Sequence, residues 1–253
     1  MGNQVFKSKE ISEAESLHRA GNLAKAETVY CKILQSDPEH GEALRLFGLL
    51  AHQTGHSRQA AHLISRAVKA QPENIEAHFN LGIINLDQGL PEDAVTAFEA
   101  ALAIDPTNFS CLVNLGNALI AANRFENAAE QSTRALEIDI NNVEALSNLG
   151  QALSKMGQLS KAMTALRRAV LCRPNDARLL NNLGNIEQTL GLLEYANQTF
   201  EQALKIDPKC KLAERNILIN TLNLPHQSAE SLFEVHELYG EKYNRKNIAA
   251  DKF

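Results

Sequence analysis

Five asparagines, Asn80, Asn114, Asn148, Asn182 and Asn216, stand 34 residues apart along the chain. At the same step run Asn117, Gln151 and Asn185, each three residues after one of the five. A side-chain amide offers two donors and an acceptor, which matches the alternating N–H and C=O of an extended peptide backbone. One such hydrogen bond contributes only ~1 kcal/mol net, so a single amide holds little and several must act together. The chemistry open to this row is therefore reversible, modest per contact, and tolerant of ligand sequence.

Residues that could do harder chemistry are set less tellingly. His52 and His56 lie four apart with His62 nearby, but Gly55 interrupts the helix between the first two, so they need not share a face for a metal. They read as solvated turn histidines. Cys31, Cys111, Cys172 and Cys210 form no C-x-x-C pair and match no zinc spacing. Cys31 and Cys172 fall within helices, where a thiol serves as a small apolar filler. Acidic pairs such as Glu92–Asp93 belong to helix starts, and no Ser/His/Asp or Cys/His set emerges. The expectation is no enzyme, no cofactor and no metal.

A row of amides at a fixed step needs elements repeated at that step, and four combs of small or rigid residues supply them. Pro38, Pro72, Pro106, Pro174 and Pro208 fall at multiples of 34, with Ile140 where one tooth is missing. Gly48, Gly82, Gly116, Gly150 and Gly184 form the second comb. Alanines make two more, one from Ala26 to Ala196 and one from Ala67 to Ala203. The repeats are then 7–40, 41–74, 75–108, 109–142, 143–176 and 177–210, with a partial seventh over 211–224. Within the third, a helix from Ile75 should stop at Gly89, where a left-handed residue is wanted. A second opens with Pro91, Glu92 and Asp93, which suit a first helical turn. It carries Ala94, Val95, Phe98, Ala101 and Leu102 at i, i+3/i+4 spacing, and ends at Asp105–Pro106. Glycine at the eighth position of a repeat and alanine at the twentieth clear space where the paired helices A and B cross. Large residues at the fourth, seventh and twenty-fourth positions, such as Leu112, Leu149 and Phe200, fill the gaps that remain. His78, at a fourth position, reads as a packed ring.

This pattern resembles the tetratricopeptide repeat (TPR), over residues 7 to about 223. The resemblance implies an all-α, right-handed superhelical solenoid of about six and a half repeats, with A helices lining a concave face. It places Asn80, Asn114, Asn148, Asn182 and Asn216 in the groove, with Asn117, Gln151 and Asn185 beside them. Neighbours at the second, fifth and twelfth positions, among them Glu42, Arg45, Glu76, Phe79, Glu144, Arg178 and Arg215, would set specificity. The neutral Val113 and Ser147 lack the cations with which some such repeats clamp a C-terminal carboxylate. Repeat 1 carries Glu13–Ala14 in place of a large residue and Gly, which reads as a solvated N-terminal cap. Repeat 4 has Asn123 for the turn glycine, Ser132 for the bulky helix-B residue and Ile140 for proline. Asparagine tolerates positive φ well enough for the turn to survive, and the softest seam is expected between repeats 4 and 5.

Residues 225–253 depart from the period. Pro225 closes the array, and Ser228 suits the N-cap of a capping or bridging helix. The stretch from Asn216 to Tyr243 also resembles the junction between repeats and catalytic half in SPINDLY-like and O-GlcNAc transferase-like glycosyltransferases. That likeness implies an alternative: a substrate-recruiting arm whose catalytic domain lies elsewhere.

Bulk properties narrow the partner. The formal charge is −5, against nucleic acid and against an anionic membrane surface. No apolar run nears the roughly 20 residues of a membrane span. The start Met1-Gly2 has Phe6 where a myristoylation signal wants Ser or Thr, and no signal-peptide core follows. The reading is a cytoplasmic interaction scaffold holding an extended peptide or protein segment, with homodimerisation through the convex face left open.

Overall fold

The computed structural model describes residues 2–223 and 233. The C-terminal cap expected over 225–253, and the glycosyltransferase-like stretch beyond residue 223, lie outside these apart from Phe233. Among the described residues all regular structure is helical, in thirteen helices. The chain forms two compact units, Met1–Ile138 and Asp139–Phe253.

The first unit holds α1 (Gly2–Arg19), α2 (Leu23–Ser36), α3 (Gly41–Gln53), α4 (Ser57–Ala70), α5 (Ile75–Asp87), α6 (Pro91–Ile104), α7 (Phe109–Ala121) and α8 (Phe125–Ile138). The second holds α9 (Val143–Lys155), α10 (Leu159–Cys172), α11 (Ala177–Thr189), α12 (Leu193–Ile206) and α13 (Lys211–Asn223). Odd-numbered helices are the A helices of the repeats. α1 begins ahead of the first repeat, because no Gly or Pro intervenes between Gly2 and Gly21 to stop it.

Local chemistry fixes each boundary. The last residue of a repeat caps the next A helix: Asn74, Asn108 and Asn142 accept from the backbone N–H three residues on, at 3.0, 3.1 and 2.9 Å. Asp176 caps α11 with bonds from Arg178 N and Leu179 N. Such a cap contributes about 1 kcal/mol. The A–B turn needs a left-handed residue, and Asn123 supplies it at φ 59°, where repeat 3 uses Gly89 at 72°.

Each repeat closes through a socket. A Cβ on Gly82 would stand 2.6 Å from the Phe98 ring, and one on Gly184 would stand 2.6 Å from Phe200. Gly48 meets Ile64, and Gly150 meets Leu166, in the same way. The eighth position is thus cut away to receive the twenty-fourth, a more specific pairing than helix crossing alone suggests. Phe98 and Phe200 are fully enclosed. In repeat 1 the smallest non-glycine takes the role: Ala14 is buried in one cluster with Tyr30, while Glu13 stays exposed. In repeat 4 the socket residue is Ser132, whose enclosed Oγ has no hydrogen-bond partner among the described residues.

Proline's absence at Ile140 is met by an arginine. Arg66, Arg134 and Arg168 occupy one register position, and each donates to a carbonyl 28 residues earlier: Pro38, Pro106 and Ile140. The Arg168–Ile140 bond, at 2.7 Å, holds the turn whether or not proline stiffens it.

Within each unit successive A helices pack on one another, as α1 on α3, α3 on α5, α5 on α7, α9 on α11 and α11 on α13. Among the described residues the backbones of successive B helices within a unit make no such close approach. Closer spacing on the A side makes that the inner face of each unit.

Candidate functional site

Polar links between neighbouring A helices mark out the inner face. In the first unit Arg45 Nη1 of α3 lies 3.0 Å from Glu76 Oε2 of α5. Further along the same helices His52 Nε2 lies 2.9 Å from Asp87 Oδ2, and His18 of α1 meets Gln53 of α3 at 2.7 Å. In the second unit Asn216 Nδ2 of α13 donates to Asn185 Oδ1 of α11 at 2.7 Å. The second, fifth, sixth, ninth, twelfth and thirteenth positions therefore share one surface.

The amide row divides on this surface. Asn80 on α5 and Asn182 on α11 are half-buried and have no side-chain partner among the described residues. Asn117 is exposed and equally unengaged. Asn114 donates to Ser110 O on its own helix, and Gln151 donates to Ser147 Oγ. Asn148 and Asn216 are both 7% exposed; the first has a partner of its own, and the second is tied to Asn185. The regular spacing thus produces two kinds of amide, some open to a ligand and some spent on the stack.

Neighbouring residues sort likewise. Arg45 is buried and grips Glu42 through two bonds of 2.9 and 2.6 Å. Burial alone would lower its pKa, but Glu42 and then Glu76 more than offset that and hold it above the usual arginine value. Phe79 packs its ring 5.8 Å from that of Phe98 and so leans toward the core. Glu144 is paired with Arg173 at 2.9 Å. Arg178 keeps 88% of its side chain exposed, with Asp176 no nearer than 3.7 Å. Arg215 is exposed as well.

Several residues take roles their types did not announce. His52 is no solvated turn residue; it lies in the last turn of α3 and joins the next repeat through Asp87. The signal was available, because His18 and His52 are 34 apart. His56 is exposed and bonds Thr54, while His78 is half-buried and bonds the Pro72 carbonyl at 2.8 Å. Cys172, expected to fill a helix interface, is exposed. Asn181 is 7% exposed and its enclosed Oδ1 accepts no bond among the described residues. Glu187, 3% exposed, accepts from Thr199 Oγ1 at 2.7 Å and from Arg167 at 3.3 Å. Among the described residues no three His, Cys, Asp or Glu are placed to hold a metal, and no helix is long and apolar enough to cross a membrane.

Family models described as "Tetratricopeptide repeat" match residues 46–109, 119–186 and 177–210. No curated protein matches the chain. Among solved structures, YrrB, described as a TPR protein with an unusual peptide-binding site, is 22% identical over 74% of this chain and 96% of its own, with a TM-score of 0.61. MamA is 25% identical over 68% of this chain and 94% of its own, at 0.61. The Pseudomonas aeruginosa protein pilF is 16% identical over 85% of this chain and 98% of its own, at 0.70. Helix pairs, sockets and turn chemistry agree with these matches: the chain belongs to the tetratricopeptide-repeat proteins, an interaction-scaffold family.

Proposed function

We propose that this protein is a scaffold that holds an extended peptide or protein segment along its A-helix faces. The carrying observation is that Asn80 and Asn182 present unspent amides at the same register position of the inner face in the two units. An amide that the protein does not use can donate to a ligand carbonyl and accept a ligand N–H together. Asn117 adds a third. Asn114, Gln151, Asn185 and Asn216 serve mainly to set the face, and Asn148 sits too deep to make first contact. Residues 1–224 act as the binding array in this reading, and residues 225–253 as its end.

Binding to an array of immobilised ten-residue peptides tests it. Changing Asn80, Asn117 and Asn182 together to Ala should lower capture on the face of each unit, by about fivefold for each amide bond of ~1 kcal/mol that is lost there. Circular dichroism and melting should stay unchanged, because none of the three has a side-chain partner among the described residues. Asn216→Ala should behave in the opposite way, lowering the melting temperature through loss of the link to Asn185. Undiminished capture by the triple variant would refute the groove.

A further inference from the structure

The B helices turn their exposed faces away from the amide row, and on two of them those faces carry opposite charge. On α8, in the first unit, the carboxylates of Glu126, Glu130 and Glu137 are exposed and have no partner among the described residues. The one cation of that helix, Arg134, is half-buried and bound to Gln131 Oε1 and the Pro106 carbonyl. In the second unit α10 carries no acidic residue at all. Its Lys161 is exposed and meets the neutral Gln158 at 2.9 Å. Arg168 donates to the Ile140 carbonyl, a neutral acceptor that leaves its charge uncancelled. Arg167 alone on α10 faces a carboxylate, that of Glu187 at 3.3 Å.

Both faces end in bare aliphatic side chains. Leu171 of α10 is 80% exposed, and Ile140, which the Arg168 bond holds against that helix, is 63% exposed. Ile138, the last residue of α8, is 53% exposed. The register of the repeats sets the pair in the second unit apart. At the place of Leu171 the flanking repeats carry Glu137 and Lys205, and at the place of Ile140 the other repeats carry proline. Two positions that meet in the fold thus turn large and aliphatic together, on the surface, at one seam.

The two faces match along their length. Laid side by side in the same direction, α8 and α10 set Glu126 and Glu130 near Lys161, Glu137 near Arg168 and Ile138 near Leu171, each within one helical turn. The reverse direction would set Leu171 against Glu126. We propose that these faces are the two halves of one contact between copies of this chain, with α8 of one copy lying along α10 of another. Opposite charges align the helices, and the aliphatic ends close against each other out of water. A second copy is the occupant because the chain itself carries both halves in matching register. An anionic membrane or a nucleic acid would use α10 and be repelled by α8. One pair of helices buries less than the about 800 Å² per partner of a standard interface, so the association is weak and depends on concentration.

Sedimentation equilibrium of the full chain tests it. The weight-average mass should rise above that of one chain as protein approaches the millimolar range at low salt. It should fall back in about 1 M salt, where the Debye length is about 3 Å. Glu126→Lys with Glu130→Lys should leave single chains under the low-salt conditions, and so should Lys161→Glu with Thr164→Glu. An equimolar mixture of those two variants restores both charge matches and should associate as the wild type does. Leu171→Ser, with every charge in place, should weaken association about tenfold. Circular dichroism should be the same for all of them, since each replaced side chain is exposed. A wild type that stays a single chain at every concentration would overturn the proposal. So would association that survives both charge reversals, or folded variants that stay apart when mixed. Cosedimentation with phosphatidylserine vesicles, lost on reversing α10 while the protein alone stays a single chain, would assign α10 to a membrane and overturn it as well.

Discussion

Tyr30 shows how one atom records the cost of the socket design. Its ring fills the first repeat's socket beside Ala14, and its hydroxyl is enclosed with no partner among the described residues. Burial, and then the nearby charges of Glu15 and Glu42, push its pKa up to about 12. The folded state therefore keeps a proton that the unfolded chain gives up near pH 10. Stability from this residue is full below pH 10 and falls as pH rises toward 12. Tyr30→Phe should raise stability by about 1 kcal/mol at neutral pH and flatten the alkaline limb of a melting-temperature profile; an unchanged profile would mean the hydroxyl is solvated. The amides were legible at this scale by type and spacing. Which of them are free was not, because Asn185 and Asn216 meet only once neighbouring A helices pack, and the sequence gives no sign of that contact.

At the scale of the helix pair, the combs of Gly, Ala and Pro announced the elements almost to the residue. Gly89 and Asn123 take the positive φ expected of them, and Pro91 opens α6. Two further combs went unread although they share the same step. The capping residues Asn74, Asn108, Asn142 and Asp176 form one, and Arg66, Arg134 and Arg168 the other. Both act through backbone groups, which leave no apolar pattern to notice. The socket account makes repeat 4 correctable: Ser132→Ile supplies the side chain that Ile64 supplies in repeat 2 and removes an unpartnered hydroxyl. It should stabilise the protein by about 1 kcal/mol, a rise of ~2–4 °C in melting temperature for a chain of this size. Gly82→Leu should do the reverse, costing about 1–3 kcal/mol as the added side chain meets Phe98. A stable Gly82→Leu protein would contradict the socket.

At the scale of the molecule, the boundary between the two compact units falls after Ile138, beside the repeat that departs most from the pattern. Hydrogen exchange should find the amides of residues 125–142 less protected than those of residues 90–105, since α8 buries a serine where α6 buries Phe98. Equal protection would remove the softness assigned to repeat 4. The outer faces of α8 and α10 also carry opposite charge, acidic and basic in turn, which a single net charge concealed. Most direct for the central claim is the side-chain amide spectrum of asparagine-labelled protein, recorded while a peptide taken from the array is added. The account predicts that the signals of Asn80 and Asn117 in the first unit, or of Asn182 in the second, shift while that of Asn197 on the second unit's B helix α12, held by Asn220 of α13, stays still. Shifts confined to B-helix asparagines, with those three unmoved, would contradict it.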